Sequence, residues 1–340
     1  MKNGGDKVTL LVPGFSPEAG GDRLQWADGL PPQPWQGQLS VLLGQAQWDG
    51  VHLPAAELSV SSQHKLRQVD PSPGGQGRVC ADPIHLRADR DTATLIPGGR
   101  LALTDAEADE LLSAINTFLH ADGLRFSRLA ADRWFMSGMD GRALSSYPPS
   151  FLAHRNASAF LPGNDETGAW RRLMTELQML LHAHPVNAER ERQGRLPVNS
   201  VWFWGGASLQ SAVAVDERQR QSTLVHADAN YAVALADALG LKCLPLERFQ
   251  PQAIRPATVI LDTRVVDALF AGDETGMAAA EQQILDDWIV PLLARRQSGA
   301  AVELEIHTED GLAGRPVVPP PGHLVSLWAR LTGQFAHRQR

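Results

Sequence analysis

The feature that most constrains this fold is where the short apolar runs fall. Val8-Thr-Leu-Leu-Val12 is partly β-branched, and Pro13-Gly14 ends it. A run of that length and boundary predicts a buried strand followed by a turn. The comparable runs, Ser200–Trp204, Thr258–Leu261 and Val302–Ile306, all come after Pro197. They alternate with helical patterns at Asn230–Leu239, Met277–Arg296 and Leu324–Thr332. Strands alternating with helices predict a parallel sheet. One strand at Val8–Val12 and the rest beyond Pro197 make that sheet discontinuous in sequence.

The intervening chain has a different character. Arg78–His85 and Thr92–Ile96 read as strands joined by the charged turn Arg87-Ala-Asp-Arg-Asp91. Thr104 and Glu107 have the spacing of a capping box. The helix behind them carries Ala108, Leu111, Leu112, Ile115 and Phe118 at helical spacing, and Asp122-Gly123 ends it. Leu124–Leu129 and Arg133–Ser137 are two further strands, so the order β-β-α-β-β predicts a small antiparallel α+β unit. A helix over Glu166–Ala183 follows and stops at Pro185. Before this unit, Gln38–Gln47 and Pro54–Gln68 read as helices, and Asp70-Pro-Ser-Pro-Gly-Gly-Gln-Gly77 as a linker. The expected fold class is therefore α/β, with a parallel-sheet core from residues 1–72 and 197–340 and an inserted, smaller α+β domain over 78–190.

Composition narrows the function classes. The chain has 340 residues, 43% of them hydrophobic and 20% charged, as in an ordinary globular protein. Lys plus Arg total 31 against 38 for Asp plus Glu, a net charge of −7. An acidic chain is poorly suited to neutralising phosphates, so no nucleic-acid partner is expected. Only Cys80 and Cys243 are present, too few for a disulfide framework. The first residues lack the apolar core of a signal peptide, and no run approaches the ~20 residues of a membrane span. A cytoplasmic location without a membrane partner is expected.

Most catalytic motifs are missing. There is no G-x-S-x-G, no P-loop, no G-x-G-x-x-G, no H-E-x-x-H and no C-x-x-C. His182 and His184 are two apart at a helix end and do not share a face, which favours helix-end roles over a metal site. Trp202 and Trp204 alternate along a strand and share a face, which suits core packing or a ligand platform. Asp82, His85 and Arg87 crowd polar groups onto one strand. The densest polar stretch is residues 184–206. There His184-Pro-Val-Asn187, Arg190, Gly194, Leu196-Pro-Val-Asn199 and Trp202-Phe-Trp-Gly-Gly206 interleave polar residues with Pro and Gly. On residue chemistry alone this is a candidate binding loop, or a set of Asn turn formers.

That stretch resembles the archaeal-type cofactor-independent phosphoglycerate mutases of the alkaline phosphatase superfamily. Those proteins carry H-P-V-N at a helix end, an Arg three residues later, then G-x-x-P-A-N, a strand and a glycine-rich turn. His184, Pro185, Val186, Asn187, Arg190, Gly194, Pro197 and Asn199 match at the same spacing, with Val198 in place of Ala. The chain is also similar to bacterial regulatory proteins of the RpfE type, described as phosphoglycerate-mutase-like. That likeness lies in Cys80-Ala-Asp-Pro83, Leu177–His182 and Trp202–Gly206. The resemblance implies an alkaline-phosphatase-like core carrying an insertion. It also implies a pocket between the two parts lined by Asp82, Arg87, His184, Asn187, Arg190 and Asn199.

The mutases transfer a phosphoryl group through a serine and two divalent metals held by Asp and His at strand ends. This sequence departs there. Pro13-Gly14 replaces the Asp-Gly after the first strand, and Ser16 and Ser40 lie in no nucleophile motif. The D-E-A-G-H segment falls near Asp262–Gly276, which has no histidine, and Glu305-Ile-His-Thr-Glu309 replaces D-H-S-T-P. Asp228, Asp262 and His307 are the only relics of a ligand set. The expectation is a catalytically degenerate homologue with no cofactor that binds a small anionic, phosphorylated ligand in a regulatory role. The second reading is an active mutase or phosphatase using Mn or Mg. The third is an interaction module with an unidentified protein partner.

Overall fold

The computed structural model describes residues 6–15, 24–26, 35–43, 56, 78–89, 92–139, 144–152, 156–161, 168–206, 215–308 and 313–316. Its strands are β1 (Asp6–Leu11), β2 (Leu24–Trp26), β3 (Val79–Asp89), β4 (Thr92–Pro97), β5 (Arg125–Ala130) and β6 (Arg133–Ser137). They continue with β7 (Ser200–Trp204), β8 (Thr223–Ala227), β9 (Lys242–Leu244), β10 (Ala257–Leu261), β11 (Val302–His307) and β12 (Ala313–Pro316). The chain divides into two compact units. One comprises residues 1–44, 214–269 and 273–340, the other 45–213 and 270–272. The expected helix over Pro54–Gln68 apart from Ala56, the helix over Leu324–Thr332, the Asp70–Gly77 linker and Ser16 lie outside the described residues, as does the side chain of Ser40. No helix among the described residues is long and apolar enough to cross a membrane.

The first unit is built on a sheet of order β2-β12-β11-β1-β10-β8-β9. β11, β1, β10, β8 and β9 run parallel, and β12 and β2 close one edge antiparallel. β1 is central between β11 and β10, which explains its largely apolar run from Val8 to Leu11: both faces are covered. On one face Val8, Leu10, Ile260, Leu304 and Ile306 pack with Ile284, Trp288 and Leu292. Helices Trp35–Leu42 and Asn230–Ala238 meet through Trp35 and Tyr231, edge to face at 5.6 Å.

The long helix expected over Met277–Arg296 is interrupted. Glu274–Ile284 gives way to a π turn at Leu285–Ile289 before Val290–Gln297 resumes as α-helix. Pro291 gives the physical reason. It has no N–H for the carbonyl four residues back, so the helix widens for one turn rather than breaking.

The second unit has an antiparallel sheet of order β4-β3-β6-β5, with β7 on the other edge of β3. Here one boundary needs correcting. Ser200–Trp204 reads as a strand of the parallel core but pairs antiparallel with β3, Cys80 opposite Trp204 and Ile84 opposite Ser200. All five of its residues are buried, and a strand covered on both faces gives the same apolar run in either kind of sheet. The unit boundary accordingly lies at 213/214, not at 197.

The capping box at Thr104 is complete. The Glu107 N–H donates to Thr104 Oγ1 at 3.2 Å, and the Thr104 N–H donates to Glu107 Oε2 at 2.9 Å. Pro185 both ends one helix and starts the next. Helix Ala169–His182 stops, His184 becomes an N-cap whose Nδ1 accepts from the Val186 N–H at 3.3 Å, and Pro185 opens helix Pro185–Arg192.

Candidate functional site

The residues that carry the mutase-like motif all lie in the second unit. Asn187 is buried, and its side-chain amide is fully used. Nδ2 donates to the Leu181 and Val198 carbonyls, both at 2.8 Å, and Oδ1 accepts from the Val198 N–H at 2.8 Å. Arg190 sits three residues on, on the same face of the helix. It is 0% exposed. Nε donates to Leu196 O at 2.9 Å, Nη1 to Glu107 at 3.0 Å and Nη2 to Leu101 O at 2.5 Å. Asn199 extends the β3–β7 pairing with its side chain: Oδ1 accepts from the Leu86 N–H at 2.7 Å, and Nδ2 donates to Leu86 O at 2.9 Å. His85 Nδ1 lies 2.9 Å from Pro197 O. The structure thus gathers Asn187, Arg190 and Asn199 around the 181–199 segment, with their polar atoms engaged by the unit's own backbone.

Asp82 lies deeper, where β3 exchanges β6 for β4 as its partner. Its carboxylate accepts from Trp204 Nε1 at 2.8 Å and the Trp134 N–H at 3.3 Å, and pairs with Arg133 at 2.9 Å. Burial pushes it up to about 6 against the pull of Arg133. Arg87 is exposed on β3. Trp202 Nε1 donates to Tyr147 O at 2.9 Å, so both strand tryptophans are core residues with satisfied indoles.

Glu107 ties this unit together electrostatically, accepting from Arg190 and from Arg195 at 2.8 Å. Burial opposes its ionisation, but the Thr104 N–H and the two guanidinium groups outweigh it and hold Glu107 down to about 2. A depressed carboxyl contributes stability that is present above its unfolded value and lost as pH falls through the folded one. The unit is therefore expected to lose stability between about pH 4.5 and pH 2. Unfolding of Glu107→Gln followed by circular dichroism should show a flatter acid limb than wild type. An unchanged acid limb would refute the assignment. Asp82 has the opposite sign, since its raised carboxyl costs stability as pH rises from about 4 toward 6.

The first unit presents a different site, at the carboxyl ends of its parallel strands, where ligands bind in open α/β sheets. Asp262 follows β10, is 0% exposed, and donates its N–H to Leu11 O at 3.0 Å. Its carboxylate accepts from Trp288 Nε1 at 2.8 Å, from the Arg264 N–H at 3.0 Å and from Arg264 Nη2 at 2.5 Å. The Arg264 guanidinium also reaches Asp287 at 2.9 Å and Gln283 at 2.9 Å, and its Cζ lies 5.9 Å from the Trp288 ring centre. Hydrogen bonding to Asp262 raises Arg264 above its ordinary value. A cavity of about 590 Å³ opens here, lined by Asp228, Glu247, Asp267 and Asp287 with Phe249 and Trp288.

Asp228 and Asp262 line the same cavity, but His307 does not join them, and strand parity explains why. Leu11 pairs with His307 on one side and with Leu261 on the other, so these side chains share one face of the sheet. Asp262, one residue past Leu261, turns to the opposite face, where Ile260 and Ile306 also point. His307 instead stacks along β11 with Glu305, 3.7 Å away, and burial pushes it below its ordinary value. Asp228, exposed beyond β8, accepts from the Leu246 N–H at 3.1 Å. Among the described residues no group of three His, Cys, Asp or Glu side chains is arranged to hold a metal ion. Among those residues Asp262 is committed to a guanidinium, and His307 faces the other side of the sheet.

Fold and site define an α/β protein with a parallel core sheet and a separate antiparallel sheet, whose strand-end cavity is built around a carboxylate–guanidinium pair. Its sequence likeness is to cofactor-independent phosphoglycerate mutases, with which it is homologous over roughly a third of its length. It is 32% identical over 117 residues to 2,3-bisphosphoglycerate-independent phosphoglycerate mutase 2 of Methanothermobacter thermautotrophicus, covering 33% of this chain and 29% of the relative. A probable enzyme of the same name from Geobacter sulfurreducens is 24% identical over 136 residues, covering 40% and 34%. The matched region thus spans about a third or less of these relatives. No protein-family model matches the chain. Among solved structures, the PH0037 protein of Pyrococcus horikoshii aligns at TM-score 0.46 and 13% identity, over 92% of this chain and 87% of that one. The cofactor-independent phosphoglycerate mutase of Thermoplasma acidophilum aligns at 0.38 and 13%, over 91% and 88%.

Sequence reasoning missed Arg264 and Trp288. The available signal was an Arg two residues beyond a strand-ending Asp.

Proposed function

We propose that this chain is a phosphoglycerate-mutase homologue that has given up two-metal phosphoryl transfer. It acts by binding a small molecule in a regulatory role, like the bacterial RpfE-type proteins it resembles. The observation that carries this reading is the commitment of Asp262 to Arg264. Metal-assisted phosphoryl transfer needs several N and O donors that converge on each cation. Here the strand-end carboxylate faces a permanent internal cation, because a guanidinium does not lose its proton in a protein.

The second reading, a working mutase, draws support from the 32% identity to the Methanothermobacter protein. One assay separates the two. Purified protein incubated with 3-phosphoglycerate and Mn²⁺ is expected to form no 2-phosphoglycerate above background, with or without a chelator. Mn²⁺-dependent, chelator-sensitive interconversion would overturn the proposal.

A further inference from the structure

Two features shape the strand-end cavity. The first is its charge. Among the described residues its wall carries Asp228, Glu247, Asp262, Asp267 and Asp287 against the one guanidinium of Arg264. The second is its aromatic lining. Phe249 and Trp288 meet edge to face with ring centres 5.2 Å apart, and the π turn at Leu285–Ile289 is the segment that places both Asp287 and Trp288 in the wall. π turns inserted in α-helices recur at functional sites.

The site already holds one organic cation. The Arg264 guanidinium is gripped by Asp262 at 2.5 Å and Asp287 at 2.9 Å, beside the Trp288 ring. That is how proteins recognise amines and guanidines: carboxylates take the charge, and an aromatic face takes the delocalised or apolar part. Asp262 and Asp287 are engaged by Arg264, while Asp228 and Glu247 are exposed on the wall. A volume of about 590 Å³ suits a small molecule. A phosphate group placed in the same space would meet an excess of negative charge.

We infer that this cavity binds a small organic cation, an amine or guanidine bearing an apolar group, with the charge held by Asp228 and Glu247 and the apolar part against Phe249 and Trp288. The inference rests on the ligand-binding half of the proposed function and is independent of whether catalysis is lost.

The test is isothermal titration of the intact chain at low salt with phenethylamine and with phenylguanidine, using 3-phenylpropionate and 3-phosphoglycerate as anionic controls. Saturable one-to-one binding of the cations is expected, weakened at least tenfold in the double variant Asp228→Asn, Glu247→Gln. Both substitutions are at exposed side chains, and an unchanged unfolding curve checks that the fold is kept. Failure of both cations to bind, or equal binding by the double variant, would overturn the inference. Binding of 3-phosphoglycerate without the cations would also overturn it while leaving a ligand-binding role standing. Cation binding together with Mn²⁺-dependent mutase turnover would support this site and overturn the proposed loss of catalysis.

Discussion

Replacing Arg190 with alanine is expected to destabilise the second unit by about 3–5 kcal/mol, the range for breaking a buried ion pair by removing one partner. The guanidinium has no exposed surface and makes three bonds at once: to Glu107, to Leu101 O and to Leu196 O. Its removal leaves two carbonyls without their donor and strips Glu107 of one of its two cations. Arg190→Lys is expected to fail nearly as badly, since one ammonium cannot reach three acceptors arranged for a planar fork. Chemical denaturation of the intact chain reads this as an earlier transition for the second unit. A change below about 1 kcal/mol would mean that Arg190 is not the clamp described here, and would favour a ligand-facing role.

Asp262→Ala is expected to cost about 3 kcal/mol, as the removal of a buried charged acceptor does. Trp288 is 5% exposed and would lose the acceptor for its indole N–H, while Arg264 would keep only Asp287 and Gln283. Asp262→Asn retains an acceptor for Trp288 and should fall between alanine and wild type. Thermal unfolding with and without Mn²⁺ separates the two accounts of this residue. A structural carboxylate gives a midpoint that does not respond to Mn²⁺ in wild type, whereas a metal ligand gives a wild-type midpoint that rises with Mn²⁺ and a variant midpoint that does not.

Much of the architecture was legible because it rests on local rules. The apolar β1 run, the Thr104–Glu107 capping box and the split of the parallel strands around an antiparallel segment each leave a periodic or chemical mark in sequence. The place of Ser200–Trp204 was not legible, because burial on both faces erases the alternation that separates one sheet from another. The site was legible only in part. The spacing of Asn187, Arg190 and Asn199 shows that they belong together. It cannot show that their amides and guanidinium turn toward Val198, Leu196 and Leu86 rather than toward a ligand. His307 was legible as a histidine near a strand end, but its use depends on parity with Asp262, which only the register of β1 with β10 and β11 fixes. Ile306 has the parity that would have met Asp262, and it is a core residue.

The most direct test of the account is the metal content and Mn²⁺ affinity of the intact wild-type protein, measured by elemental analysis and titration calorimetry. The account predicts no stoichiometric divalent metal after purification and no saturable Mn²⁺ binding in the micromolar range, because Arg264 already supplies the cation at Asp262. One or two tightly bound equivalents of metal per chain would contradict it.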